Sequence, residues 1–327
     1  MKRKLALPYP YIAFILVVLI GWMSYVVASD LDILTIMKEQ AGVMITMIFG
    51  AFIAGSSPEG SAAIAYPVFT LYLDIAPATT RNFSFAIQSF GMTAASIYIL
   101  SKRISVDWKY ILYVSLGGLF GLLFGTYYVV PLVNPPVAKM LFVSLWLSFG
   151  IVLFIKNRRP DRVIYDKLLG LTRKDFMLLI AFGFVGGIIS SLFGTGINIF
   201  TFCLMVVYYH INEKIATASS IIIMTIETIL GFVLHRHVLN DFNQESFDMW
   251  IACIPLVIFM APLGSFMLSK FTRLQLATLL YCILFVQFIG AIWVIRPSIP
   301  LATMSVGVIL GGILLFNYLG QLRRVKV

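Results

Sequence analysis

The sequence predicts an all-α, polytopic membrane protein made of two inverted repeats. Each repeat holds a re-entrant, broken helical hairpin plus three spans, and there are extra N- and C-terminal spans. Three observations carry this expectation. Apolar residues make up 60% of the chain and charged residues only 12%, and mean hydropathy is +0.97, a composition suited to lipid rather than water. The apolar runs are long and uninterrupted, whereas the strands of a β-barrel alternate. One order of elements also recurs in both halves of the chain.

Taken in order, Lys2, Arg3 and Lys4 precede an apolar run from about Tyr11 to Ala28. It is too long for a signal-peptide core and lacks a small-residue cleavage site, so a first transmembrane helix is expected. A short polar connection, Ser29–Gln40, follows and holds Asp30, Asp32, Lys38 and Glu39. Next comes an apolar segment from Ala41 to Leu73, interrupted at Gly55-Ser56-Ser57-Pro58-Glu59-Gly60-Ser61. As one helix it would be about 33 residues and roughly 50 Å long, against roughly 30 Å of hydrocarbon, and each half alone falls short of a crossing. A helix broken at mid-membrane or a hairpin that enters and returns resolves this, because irregular backbone at that depth must be surrounded by protein or a cavity.

Spans are expected near Asn82–Leu100, Trp108–Val130 and Val137–Ile155, with Trp108 as an aromatic-belt anchor. The basic stretch Lys156–Asp175 separates the halves. A second interrupted segment, Phe176–Tyr209, breaks at Phe193-Gly194-Thr195-Gly196-Ile197-Asn198, and Tyr208-Tyr209 close it as belt anchors. Spans near Ile215–Leu234, Met249–Leu268, Leu274–Ile295 and Ile299–Leu319 complete the chain. Laid over each other, the halves place Gly50 on Gly186, Gly60 on Gly196, Tyr72 on Tyr208, Gly125-Thr126 on Gly264-Ser265 and Ala138 on Ala277. The units are then residues 1–40 (first span and connection), 41–155 (first repeat), 156–175 (cytoplasmic basic linker), 176–296 (second repeat) and 297–327 (last span and basic tail).

Loop charges choose between hairpin and full crossing. With both interrupted segments re-entrant and the basic N-terminus cytoplasmic, Lys102/Arg103/Lys109, the linker, Lys270/Arg273 and Arg323/Arg324/Lys326 all fall on the cytoplasmic side. The other face receives the acidic Asp30–Glu39 connection, the uncharged Pro131–Pro136 loop and Asn240–Asp248, a positive-inside pattern. Full crossings would put the basic linker outside. Both termini are therefore expected in the cytoplasm. An odd number of crossings per repeat makes the halves inverted, so the hairpin tips can meet near the midplane.

Ser57-Pro58-Glu59 has the form of a helix start, with Ser57 as N-cap, Pro58 first and Glu59 in the first turn. Thr195, between Gly194 and Gly196, is expected to start the second half-helix in the same way, with Asn198 nearby. Two such N-termini, lined by Ser56, Ser57, Gly60, Ser61, Gly194, Thr195, Gly196 and Asn198, suit a small oxyanion. The same residues would also serve merely as caps and turns.

Glu59 complements a helix dipole, yet a carboxylate near mid-membrane is costly and marks function by default, often proton coupling. Beside an anion it is expected to be protonated or paired with a cation, and Arg81, next to Asn82, is the candidate partner. The alternative for Arg81 is a snorkelling anchor. Gln88 shares its face at i+7. In the second half Thr217 and Ser220 share a face continued by Met224 and Glu227. Glu227, about three turns into a full span, is the second coupling or gating candidate.

His235-Arg236-His237 has no acidic or Cys ligand clustered with it and is expected at the interface, not on a metal. Gly117-Gly118, Gly121 and Gly125 form a small-residue packing face. Cys203, Cys253 and Cys282 are expected as packed or lipid-facing hydrophobes. No cofactor, metal or nucleic acid is expected; the expected partners are a small anion, membrane lipids and a second copy in a homodimer.

The pattern resembles the TauE/SafE family of sulfite and organosulfonate exporters. The resemblance rests on Pro58-Glu59-Gly60-Ser61, Tyr66-Pro67-Val68-Phe69 and Ala76-Pro77-Ala78-Thr79-Thr80 in the first half. In the second it rests on Gly194-Thr195-Gly196 and Ala216-Thr217-Ala218-Ser219-Ser220, and overall it spans roughly Met44 to Ile295. It departs from the family at Ser57-Pro58-Glu59-Gly60, where several glycines are more usual, and at Arg81-Asn82, where a Thr-Ser pair is. The resemblance implies movement of sulfite or an organosulfonate across a bacterial inner membrane; the residues themselves imply only an anion-compatible midplane site. An anion channel, or a carrier of another small anion such as a carboxylate, remains open on the same scaffold. No HExxH or catalytic Ser/His or Asp pair points to an enzyme.

Overall fold

The helices begin where the sequence supplies caps and end where it supplies turns, and in the computed structural model this yields an all-helical chain. The described residues are 9–61, 65, 68–70, 72–158, 163–168 and 170–322. The expected basic tail at Arg323, Arg324 and Lys326, and the motif residues Tyr66 and Pro67, lie outside them. Helix α1 spans Tyr9–Ala28, α2 Ile33–Glu39 and α3 Ala41–Ser56. The connection expected over Ser29–Gln40 is thus itself partly helical. Asp32 caps α2 by accepting from Thr35, which holds its carboxyl below the ordinary carboxylate value, and α2 meets α3 at a 76° bend.

Beyond the first tip, α4 covers Pro77–Ser101, α5 Trp108–Phe124 with a wider turn to Val129, and α6 Pro135–Asn157. Pro77 and Pro135 open their helices at the position where a missing N–H costs nothing. Helix α7 runs over Arg173–Phe193 behind a Thr172/Asp175 capping box, and α8 over Ile197–Cys203, extended by a wide turn to Tyr208. Helices α9 (Glu213–Val233), α10 (Gln244–Lys270), α11 (Arg273–Ile295) and α12 (Ile299–Leu322) follow. Among the described residues nine helices are long and apolar enough to cross a membrane. They include the 21-residue α7, whereas the 16-residue α3 is short of a crossing.

Glycine decides how closely the helices pack. A Cβ on Gly117 or Gly121 of α5 would collide with backbone of α7 at Ile180 or Phe184, and one on Gly183 or Gly187 would collide in the other direction. Gly55 of α3 and Gly264 of α10 are fitted against each other in the same manner. Helix α4 lies between α9 and α10, and α6 packs on α11 and α12. Helix α1 sits on the rim, held where Trp22 Nε1 donates to the Ile251 carbonyl at 2.8 Å. Cys203 and Cys253 are buried and Cys282 is exposed, in line with apolar packing or lipid contact.

The linker is not a free tether. Tyr165 N–H donates to the His210 carbonyl and Asn212 N–H returns the bond to Tyr165, each at 2.9 Å. The Leu168 N–H donates to Asp107, the residue that caps α5.

Candidate functional site

Both breaks are made by backbone that a right-handed helix cannot contain. In the first, Ser57 is extended (φ −140°) and ends α3, and Gly60 takes φ +75°. Among the described residues the next helical bond, Ala65 N–H to the Ser61 carbonyl, lies beyond that glycine. This corrects the expected helix start: Ser57 closes α3 instead of capping its successor, and its hydroxyl accepts from the Glu59 N–H at 3.3 Å. Glu59 lies in the turn rather than the first helical turn. In the second break Gly194 (φ +76°) closes α7 and Gly196 (φ +155°) precedes α8. Thr195 does not cap α8. Its hydroxyl donates to Asn198 Oδ1 at 3.2 Å, and the Ile197 N–H is capped by Ser190 Oγ at 2.9 Å.

The two tips touch. Asn198 Nδ2 donates to the Pro58 carbonyl at 2.6 Å. A Cβ on Gly60 would stand 2.8 Å from Thr195 Oγ1 and 3.3 Å from both Gln88 Oε1 and Met224 Sδ. Gln88 Nε2 donates to the Ser84 hydroxyl and to the Gly194 carbonyl. Gln88 and Met224 are each about halfway along α4 and the extended α9, so the tips meet between the middles of two long helices. Beside them is a cavity of about 10 Å³ lined by Ser61, Ala65, Phe69, Thr80, Phe83, Ser84 and Phe193. That is room for about one water. The Thr80 hydroxyl is buried there without a hydrogen-bond partner among the described residues.

The charged residues sort differently from expectation. Arg81 does not reach Glu59: its guanidinium turns to Asp241 at 3.4 Å and to Asn82 Oδ1 at 3.1 Å, while Asn82 Nδ2 donates to the Asp241 carbonyl at 2.9 Å. His235, expected at the interface, is fully buried, stacked on Phe85 and 2.9 Å from Asp241. The Asp241 turn offers a carboxylate that Arg81 reaches along its own face of α4. Glu59 instead interacts electrostatically with Lys139 of α6. Both Glu59 oxygens are buried and lack a hydrogen-bond partner among the described residues. Lys139, 4% exposed, lies 5.7 Å from the ring centroids of Phe142 and Phe193.

Glu227 accepts from Ser190 Oγ at 2.9 Å, the same oxygen that caps Ile197. Glu227 thus acts on the start of α8 through one hydroxyl. Ser56, Thr217 and Ser220 return their hydroxyls to carbonyls of their own helices, at Ile53, Glu213 and Thr217.

The geometry therefore brings Glu59, Gly60, Ser61, Gln88, Gly194, Thr195, Gly196 and Asn198 into one place. It puts Arg81 and Asn82 in a second cluster and leaves Ser56, Thr217 and Ser220 bonding within their helices. Lys139, Ser84, Thr80 and Ser190 were not anticipated. The signal for Lys139 was a lone ammonium one turn inside an otherwise uncharged run. Among the described residues no group of His, Cys, Asp and Glu is placed to hold a metal ion. A family model described as sulfite exporter TauE/SafE matches residues 43–291. No curated protein and no solved structure matches the chain.

Proposed function

The chain belongs to the sulfite exporter TauE/SafE family, and from that premise we propose that it is a secondary transporter that exports a small sulfur-containing anion, sulfite or an organosulfonate, from the bacterial cytoplasm. The observation that carries the reading is the meeting of two broken helices, Asn198 bonded to Pro58, beside hydroxyls from Ser61, Thr80 and Ser84. Broken elements that meet inside a bundle are how carriers place a substrate between two alternately opening faces. Helix packing supports the repeat: exchanging the halves maps the α3–α10 contact onto α7–α5 and the α4–α10 contact onto α9–α5. Inversion of the halves, with both termini cytoplasmic, rests on the loop charges.

The cavity holds about one water and the tips are bonded across it. This arrangement favours a carrier in an occluded state over an open channel. Sulfite has to separate the tips to enter. Saturable flux with counterflow is the expected behaviour.

The test is thermal stabilisation of the purified protein by sulfite, sulfoacetate, taurine and sulfate, each at two pH values. One sulfur anion is expected to raise the melting temperature, with the rise lost in Ser61→Ala and Thr195→Ala. If a carboxylate or a cation stabilises and no sulfur anion does, the substrate class is wrong. Glu227→Gln tests the second coupling candidate: a flattened pH dependence of flux in folded protein would place the coupling proton on Glu227 instead of Glu59. An unchanged pH profile removes Glu227 from coupling.

A further inference from the structure

Phe193 lines the cavity, and the Lys139 ammonium lies 5.7 Å from its ring centroid. Lys139 is almost fully buried, as is Glu59, whose two oxygens accept no hydrogen bond among the described residues. A bare carboxylate and an ammonium at this depth are each expensive, and the electrostatic attraction between them offsets part of that cost. A pair needed only for packing would be expected to bring hydrogen bonds to the carboxylate as well, and among the described residues Glu59 has none. We propose that Lys139 is the cation that receives the substrate anion, and that Glu59 occupies the anion's place in the empty carrier and takes up one proton each time an anion binds. The proposal rests on the anion-carrier reading and deepens it.

Charge balance requires the proton. The empty site holds one negative and one positive group. An arriving anion adds a second negative charge, which no further cation of the site offsets. A proton from the aqueous side through which the anion entered converts the Glu59 carboxylate to the acid. The Lys139 ammonium then pairs with the anion. On release both leave together, and Glu59, again ionised, returns to Lys139.

Other titratable groups do not take this part. The Cys203 thiol of α8 also senses Glu59, but as a neutral buried thiol it adds no charge. Glu227 is held by Ser190. Among the described residues, the polar side chains that helix α4 sets beside the tips, Thr80, Ser84 and Gln88, are all neutral.

For a monovalent anion, loaded and empty carriers then have the same charge. Transport is electroneutral, and its direction follows the anion and proton gradients rather than the membrane potential.

Calorimetric titration with sulfite, in two buffers of different ionisation enthalpy, counts the protons taken up. Sulfite's own protonation is common to all variants, so differences between variants belong to the protein. The wild type is expected to take up one proton more per sulfite than Glu59→Gln, whose affinity rises less steeply than the wild type's as pH falls. Glu59→Gln/Lys139→Gln is expected to bind sulfite at least about tenfold more weakly than Glu59→Gln, the size of a lost charge-assisted contact. The double variant is charge-balanced, as the wild type is, so their comparison stands even if the single variant does not fold. Equal proton counts, or a double variant that binds as tightly as the wild type, overturn the proposal. A wild type that binds none of the sulfur anions overturns the carrier reading first.

Discussion

At the scale of the residue, the joint between the tips depends on one amide and one bare α-carbon. Replacing Asn198 with Ala leaves the Pro58 carbonyl buried and unpaired, which costs about 1–3 kcal/mol. The expected readout is a lower thermal unfolding midpoint in detergent, with a larger loss of transport than of fold. Gly60→Ala is expected to be worse for transport, because it adds a strained φ of +75° to a Cβ 2.8 Å from Thr195 Oγ1; a flux assay on folded protein checks it. Glu59, Gly60, Thr195 and Asn198 were legible in sequence because the break itself gives them away: small and polar residues between apolar runs have few other uses. Lys139 was not legible. A lysine near a helix start has an ordinary reading as an interfacial anchor, and only the packing of α6 against the second tip shows that it points inward.

At the scale of the element, span positions were readable from hydropathy, and the structure extends them by a few residues at their capped ends. What misled was the start of the half-helices. A cap followed by proline is a sound local signal, but Gly60 two residues later takes a left-handed turn, so no helix runs from Ser57 through it. The second polar cluster binds the start of α4 to the turn after α9 through Arg81, Asn82, His235 and Asp241. Because Asp241 is 41% exposed, the ion pair alone is worth about 1 kcal/mol or less. A double-mutant cycle of Arg81→Gln and Asp241→Asn, read by thermal unfolding, is expected to give a coupling of that size. A coupling of several kcal/mol would mean that water is excluded from the pair and that it bears on the closed state itself.

At the scale of the whole molecule, the weak overlay of the halves becomes contacts. Gly50 packs on Ser61 and Gly186 on Ile197, at matching positions; Gly264 packs on Gly55, and Gly125 on Ser191, again matching. Gly125→Val and Gly264→Val are therefore expected to act alike, each forcing the first arm of a broken segment off its partner helix at about 1–3 kcal/mol or more. Unfolding midpoints check this, and tolerance of one without the other would break the equivalence. The first arm of each broken segment is seated mainly in the opposite half's helices: α3 in α10, and α7 in α5. This exchange has a consequence for biogenesis. Ser265, whose hydroxyl grips the Gly55 carbonyl, lies 210 residues downstream of it. At about 5–20 residues per second, a ribosome takes on the order of 10–40 s to make that stretch. During that interval the nascent first broken segment has no groove to enter, and its polar tip must wait at the translocon or the lipid headgroups until the second half arrives.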